Sequence, residues 1–272
     1  MDNSCWATQL ILALRCTSSG FAHSFVERGE VKFNTPKSWE QYGIEGRGDL
    51  YEGVMAITYE TSPDKRKLIR SVENSYTIND GKRILIKNAE DMKLPGLCFY
   101  GLWLDDFPVP EREGWNHLST TIEPRYFRDF ADGMTLDKVL KLPEDKRPAV
   151  VAIKNFDEFI LRLKRKLISI GVEDDDILVR RIQYIECYDN DWTIQTDLLA
   201  SSPFELFMKS RRKFSYQHEV RIIVNTHDSR LQHKLDSSIE IGNISDIAKV
   251  ADTYCDNGVV VSADFNCYRI EE

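Results

Sequence analysis

The chain has 272 residues, of which 42% are hydrophobic and 29% charged, with a formal net charge of −8. This length and hydrophobic content allow one sizeable core and exclude a disordered chain, so we expect a single domain over residues 1–272. The acidic balance excludes a surface that is basic throughout, as a protein that coats nucleic acid has, but it allows one local basic patch.

The amino-terminal segment lacks the pattern of a membrane span or a signal peptide. The longest strongly apolar run, residues 10–14, is too short to cross a bilayer, and the residues before it include Asp2 but no basic side chain. We therefore expect a cytoplasmic protein with no membrane partner. The six cysteines are scattered, with no Cys-x-x-Cys pair and no Cys/His cluster at zinc spacing, which predicts reduced thiols and no metal site.

In chain order, the first predicted elements are a strand, a short helix and a second strand. Residues 8–16 are short and nearly continuously apolar, and the turn-like segment 17–20 follows them, which predicts a buried strand. Residues 21–28 predict a helix that ends at a glycine. Residues 31–35 alternate between apolar and polar side chains before a proline, which predicts another strand.

Residues 43–148 are rich in charge, glycine, proline and aromatic side chains, and they contain no long amphipathic helix. We expect them to form a loop-rich insertion with lid-like loops and several short strands. Regular structure returns at residues 149–153, which predict a strand. Asn155 then caps a predicted helix in which apolar side chains recur every three or four residues up to Leu167.

The carboxy-terminal part continues this pattern. Residues 177–187 predict a strand, and residues 202–205 have the cap, proline and acidic residue of a helix start, so we expect a brief helix to about Ser210. Residues 216–224 predict the most informative strand, discussed below. Three further elements are predicted, namely strands at residues 239–241 and 258–262 and a short helix at residues 244–250. The fold class is therefore α+β, a mixed sheet core with flanking helices.

Three polar residues stand on separate predicted strands. Arg15 offers a planar fork suited to phosphate, Thr35 a hydroxyl, and Glu219 a carboxylate. Alternation along the strand 216–224 places Gln217 on the same face as Glu219. A carboxylate, a cation and a hydroxyl are what cleavage of the nicotinamide–ribose bond of NAD requires, because its transition state resembles an oxocarbenium ion.

The order Arg, Thr, Glu, together with Gln217-His218-Glu219, resembles the Arg-Ser-Glu class of ADP-ribosyltransferases, of the bacterial toxin or defence effector type. The resemblance covers three short segments. It implies an ADP-ribosyltransferase-like core and NAD as co-substrate, with no metal. It also implies that Glu219 is catalytic, that Gln217 helps to select and activate the acceptor, that Arg15 binds NAD and that Thr35 braces the nicotinamide ribose. The chain departs from the family by a short interval between Arg15 and Thr35, and by Asn34-Thr35-Pro36 where Ser-Thr-Ser is usual.

The densest basic run lies just before Gln217, where the resemblance implies that the acceptor binds. Cations beside aromatic rings suit phosphates and a stacked base, so the resemblance favours a nucleic-acid acceptor, RNA or DNA. The alternative is a solvated helix end, where basic side chains are favoured by the helix dipole. A toxin of this kind also implies an antitoxin or inhibitory protein. The predicted acceptor-binding residues are Lys209, Arg211, Arg212, Lys213, Phe214 and Tyr216.

Two other functions stay open. One is a non-catalytic binding module of the same fold. The other is a metal-dependent nuclease that would use the acidic residues 174–176 and 189–191 beside the basic run. Such a nuclease needs paired carboxylates and a lysine converging on one metal, and no such spacing is evident in the sequence.

Overall fold

The computed structural model describes residues 10–41, 48–108, 114–185, 192–193, 203–251 and 258–267. The strands in these ranges are β1 (Leu10–Ser18), β2 (Glu30–Val31), β3 (Val54–Thr58), β4 (Ser75–Asn79), β5 (Ile84–Asn88), β6 (Gly96–Trp103), β7 (Gly114–Ile122), β8 (Pro148–Ile153), β9 (Ile177–Arg181), β10 (Gln183–Ile185), β11 (Trp192–Thr193), β12 (Met208–Ser210), β13 (Glu219–Val224), β14 (Ile239–Glu240), β15 (Ala248–Ala251) and β16 (Val259–Cys267). The helices are α1 (Ser19–Arg28), α2 (Pro36–Gln41), α3 (Lys65–Ser71), α4 (Pro124–Phe130), α5 (Leu136–Leu140), α6 (Phe156–Ser169), α7 (Arg211–Phe214) and α8 (Ser229–Asp236). The predicted α+β class is confirmed.

The central feature is a six-stranded antiparallel sheet in the order β15-β8-β1-β6-β13-β9. Side chains alternate along each strand, so the sheet buries two faces. Ala13 and Phe99 lie on the face covered by α1 and α6. Leu14 and Tyr100 lie on the other face, which is covered by α4 and by the long ribbon of β7 and β16. Core therefore lies on both sides of the sheet.

Helix α6 shows how closely local sequence sets one of these layers. The side chain of Asn155 accepts a hydrogen bond from the backbone N–H of Glu158, which caps the helix as predicted. Phe159, Leu163 and Leu167, at helical spacing, are completely buried against the sheet. The prediction for this helix is confirmed.

β1 and β6 pair over only part of their length. Their register runs from Leu10 opposite Trp103 to Leu14 opposite Tyr100 and ends there, while β1 stays paired with β8 as far as Ser18. At the start of β6, Asn34 occupies the edge that would otherwise pair with β1. Its backbone exchanges two hydrogen bonds with that of Gly96, at 3.0 and 2.7 Å. The later half of β1 and the earlier half of β6 therefore diverge, and a space opens between them.

The remaining strands form smaller sheets beside the central one. β11, β3, β5 and β4 form an antiparallel sheet, β10 and β12 form a parallel pair, and β14 pairs with β2. No helix in the described part of the chain is long and apolar enough to cross a membrane.

The region predicted to be an insertion, residues 43–148, contributes to the core. Its strand β6 lies between β1 and β13 in the central sheet. The insertion hypothesis is therefore wrong for β6, whose eight residues form an unbroken buried or nearly buried run. β3, β4 and β5 of the same region form most of the second sheet, which agrees with the predicted short strands.

Three predicted elements differ from those observed. Residues 31–35 contain only the end of β2 and the isolated bridge at Asn34, because the chain turns into α2 at Pro36. Residues 203–210 form a 3-10 turn followed by β12, instead of a helix, and the predicted cap at Ser202 lies outside the described residues. The helix predicted at residues 244–250 is wrong, because its second half is β15, paired with β8.

The strand predicted at residues 216–224 begins later than expected. Residues 215–217 form a 3-10 turn, and His218 has a left-handed backbone with φ of 41°. This conformation breaks the strand alternation, so β13 starts only at Glu219. Other predicted ends, at residues 8–9 and 186–187, lie outside the described residues, as does the acidic cluster 189–191.

Candidate functional site

A cavity of about 390 Å³ occupies the space where β1 and β6 diverge. β1 and β6 supply two walls, α4 and the turn after it supply a third, and β13 with the chain before it closes the far end. The residues that line it are Arg15, Cys16, Thr17, Ser18, Asn34, Trp39, Leu97, Cys98, Phe99, Tyr126, Phe130, Asp132, Met134, Lys146, Pro148, Lys209, Gln217, Glu219 and Arg221. Its size falls within the usual range of small-molecule sites.

Arg15 lines this cavity, and its guanidinium is packed among aromatic rings. The central guanidinium carbon is 5.3 Å from the ring centre of Phe99, and Phe21 and Phe25 lie within 6.0 Å. Its Nε is completely buried and has no hydrogen-bond partner among the described residues, and one terminal nitrogen makes a long contact of 3.5 Å to the carbonyl of Lys32. Burial lowers the pKa of Arg15 from its usual value.

The guanidinium of Arg15 makes no salt bridge with any carboxylate of the described residues. A cation that is desolvated and lacks an anionic partner is unfavourable unless something supplies the missing charge. The geometry therefore suits an anionic group of a bound molecule, which a planar guanidinium contacts through two parallel hydrogen bonds.

Glu219 also lines the cavity and is held by two cations. Lys209 Nζ is 2.7 Å from Oε2 of Glu219, and Arg221 Nε donates to Oε1 at 2.8 Å. Lys209 also donates to Oε1 of Gln217 at 3.1 Å, so the two residues of the Gln-x-Glu motif share one lysine. All four side chains are buried or nearly so.

A second carboxylate, Glu52, completes this cluster from a distant part of the chain. Arg221 Nη1 is 2.5 Å from Oε1 of Glu52 and also donates to the backbone carbonyl of Leu206. The guanidinium lies 4.6 Å from the ring centre of Trp39. The formal charges of Glu52, Glu219, Lys209 and Arg221 cancel, which allows four charged groups to lie in the interior together.

The charges around Glu219 determine its protonation. Burial alone would raise the pKa of the carboxyl, but Arg221 and Lys209 outweigh it and lower the pKa to about 2. The thiol of Cys98 donates a further hydrogen bond to Glu219, and burial raises the pKa of this thiol well above its usual value. Glu219 is therefore a fixed negative charge at any physiological pH, and it is a weak base.

Thr35, the fourth residue predicted for the donor site, does not line the cavity. Its hydroxyl accepts a hydrogen bond from the backbone N–H of Ser38 at 3.2 Å, and its carbonyl accepts from the Ser38 hydroxyl at 2.6 Å. Thr35 therefore caps the start of α2, which is favoured because a proline follows it. The neighbouring Asn34 lines the cavity instead.

The predicted acceptor residues divide into two groups. Lys209 and Phe214 are buried, and the Lys209 ammonium lies 5.1 Å from the Phe214 ring centre, so these two residues belong to the interior and not to an exposed loop. Phe214 is thereby removed from any surface where a base could stack. The other members lie at the surface or half-buried, namely Arg211, Arg212, Lys213 and Tyr216.

Sequence reasoning missed the roles of Glu52, Arg221 and Lys209. No local pattern could pair Glu52 with Arg221, because the two lie 169 residues apart. Arg221 did carry a signal, because it lies two residues after Glu219 on the predicted strand 216–224 and therefore on the same face. Among the described residues, no group of three or more His, Cys, Asp or Glu side chains is arranged to hold a metal ion.

Comparisons with known proteins add no assignment to this geometry. No family model, curated protein or solved structure matches the chain.

Proposed function

We propose that the chain transfers ADP-ribose from NAD to a macromolecular acceptor. The observation that carries this proposal is that Arg15 on β1 lines the same cavity as Gln217 and Glu219, which lie much later in the chain. A guanidinium without an anionic partner among the described residues and a fixed carboxylate match the two needs of the donor, a pyrophosphate partner and a charge beside the ribose.

In the proposed reaction, the bond between nicotinamide and the ribose carbon C1′ breaks, and nicotinamide leaves with the electron pair. A nucleophilic atom of the acceptor forms the new bond to C1′ and releases its proton to solvent. The positive charge that develops on the ribose is stabilised by the ionised Glu219. With a pKa of about 2, Glu219 acts through its charge and as a hydrogen-bond acceptor for a ribose hydroxyl.

The hydrogen-bond acceptor positions of the Glu219 carboxylate are mostly taken by neighbouring side chains. A carboxylate offers about four acceptor positions. Lys209, Arg221 Nε and Cys98 use three of them, and Arg221 Nη2 also lies 2.8 Å from Oε1, so at most one is left for a ribose hydroxyl. The two cations hold the carboxylate in one position, and such preorganisation is what electrostatic catalysis requires.

A second candidate function is a binding module without chemistry. It is favoured by the pairing of Glu219 with both Lys209 and Arg221, because these two cations neutralise much of the charge of the carboxylate. Such a module would bind a dinucleotide or another anionic ligand through Arg15 and leave it intact.

One experiment separates these functions. The purified protein is incubated with NAD labelled in the adenylate phosphate, together with total RNA, DNA or protein, and both released nicotinamide and the label on macromolecules are measured. A transferase releases nicotinamide and labels one class of acceptor. A binding module shows saturable NAD binding in calorimetry with no release of nicotinamide. Absence of both NAD binding and nicotinamide release would overturn the proposed function.

A further inference from the structure

We infer that α4 and residues 211–216 together form a surface for single-stranded nucleic acid beside the cavity. The inference rests on the proposed function, because the nucleic acid would be the acceptor. It adds α4, which lies in the region without a predicted role, and it removes two buried residues from the predicted acceptor site.

Helix α4 separates the cavity from the surface. Two of its side chains, Tyr126 and Phe130, line the cavity. Arg125 and Arg128 project from the same helix and are exposed. A molecule bound along the outer side of α4 would therefore lie about one helix diameter from the cavity.

Tyr216 packs directly beside this helix. The guanidinium carbon of Arg125 lies 4.2 Å from the ring centre of Tyr216, and the hydroxyl of Tyr216 donates to the carboxylate of Asp129 on α4. Asp129 also lies 3.8 Å from the Arg125 Nε. The ring and the guanidinium are thus held in a stack, and a nucleobase can extend such a stack by its flat face.

The turn that carries Tyr216 packs against α7 as well as α4, so more positive charge lies nearby. The three basic side chains of α7, Arg211, Arg212 and Lys213, are exposed. Arg211 donates to the carbonyl of Tyr184 at 3.2 Å, and the Lys213 ammonium lies 5.5 Å from the ring centre of Tyr51, so two of the three are held in place.

With Arg125 and Arg128, these side chains form a band of five cations in a chain of net charge −8. A local positive band on an acidic protein attracts a polyanion such as the phosphate backbone of a nucleic acid. The aromatic stack in the middle of the band selects an unpaired strand, because the bases of a duplex are stacked on one another and cannot reach Tyr216.

The test is a binding titration without NAD, using fluorescently labelled 12-nucleotide single strands of RNA and DNA and a duplex of the same sequence. We expect a single strand to bind more tightly than the duplex. Tyr216→Leu should weaken binding about tenfold, whereas Tyr216→Phe, which keeps the ring, should not. Arg125→Ala, Arg128→Ala and Arg212→Ala should each weaken binding and reduce the salt slope by about 0.7.

The matched control is Arg165→Ala, since Arg165 is exposed on α6, across the sheet from α4. It should bind like the wild type. The inference is overturned if no single strand binds at low salt, if the duplex binds equally well, or if the Arg125 and Tyr216 variants behave like the control. Because NAD is absent, binding without any transferase activity would overturn only the proposed function, and transfer to protein without strand binding would overturn only this inference.

Discussion

The ammonium of Lys209 lies 2.7 Å from Oε2 of Glu219, and the two side chains are only 11% and 6% exposed. From the sequence alone, Lys209 was expected in a surface loop and Glu219 in a catalytic site. Their pairing makes the carboxylate part of a buried charge network, in which removal of one member leaves another unpaired. Breaking such a pair typically costs about 3–5 kcal/mol of stability.

The first prediction concerns the charge of Glu219. Glu219→Gln should reduce transfer of ADP-ribose by about a hundredfold or more, because the amide cannot stabilise the developing positive charge. It should also lower the free energy of unfolding, because Lys209 and Arg221 then face only Glu52. Nicotinamide release and urea unfolding measure the two effects, and Glu240→Gln, an exposed carboxylate, is the control.

A double variant separates the two effects. Combining Glu219→Gln with Lys209→Met removes one charge of each sign, so part of the lost stability should return. Activity should not return with it. If the double variant recovers both stability and transfer, Glu219 serves only to neutralise the interior and its assignment as the catalytic residue is wrong.

The second prediction concerns Arg15. Arg15→Lys should weaken NAD binding on the order of tenfold although it keeps the charge, since a single ammonium cannot form two parallel hydrogen bonds or stack on Phe99 in the same way. Calorimetry with NAD measures the change, with Arg165→Lys as the control. Unchanged affinity in the Arg15 variant would assign the guanidinium to packing among the phenylalanines alone.

The third prediction concerns the exposed face of α7. Replacing Arg211, Arg212 and Lys213 together with alanine should reduce transfer to the acceptor and spare the slow hydrolysis of NAD by water. The reason is position, because these side chains are exposed at the surface and do not line the cavity. Parallel assays of labelled acceptor and released nicotinamide measure both rates. An equal loss in the two assays would show that α7 supports the donor site instead.

The fourth prediction concerns a carboxyl pair away from the cavity. Glu205 is 2% exposed, and its side chain is hydrogen-bonded to that of Asp91, with His227 Nε2 3.8 Å from Asp91. Burial, with the nearby charge of Asp91, raises the pKa of Glu205 well above its usual value. Burial also raises the pKa of Asp91, although Glu205 and His227 oppose it.

The sign of the effect on stability follows from these shifts. In the unfolded chain Glu205 loses its proton near pH 4.3, whereas the folded protein keeps it to higher pH. The folded state therefore binds more protons above about pH 4.3, and the free energy of unfolding falls as pH rises towards the folded pKa. Glu205→Gln has no proton to lose, so its unfolding free energy should depend less on pH between 4.5 and 8. Equal slopes for wild type and variant would contradict this account.

The elements that sequence predicted well are those determined by near neighbours. The helix after Asn155 follows from a cap and from apolar residues three and four positions apart, both of which are local. β6 could also have been found, because its apolar run is bounded by Pro95 and Asp105. It was missed because the surrounding composition resembles loops, and its place between β1 and β13 depends on contacts that no local pattern reveals.

The site was predictable only in part, for a related reason. Arg15 and Glu219 line one cavity, whereas Thr35 lies outside it and caps α2. The burial of Lys209 could not be inferred from a run of basic residues, because it depends on Glu219 as its partner. The contribution of Glu52 depends on a contact across 169 residues.

The hydrogen bonds that Asn34 and Gly96 exchange stop the pairing of β1 with β6, because they occupy the edge of β6 that β1 would otherwise use. If the register of β1 and β6 continued past Leu14, Cys16 would lie opposite Cys98 and the two strands would close over the cavity. Gly96 has no room for a side chain, since a Cβ there would lie 2.6 Å from the Trp39 ring. The size of the cavity is thus set by where strand pairing stops, and a side chain at position 96 would press on Trp39, which packs against the guanidinium of Arg221.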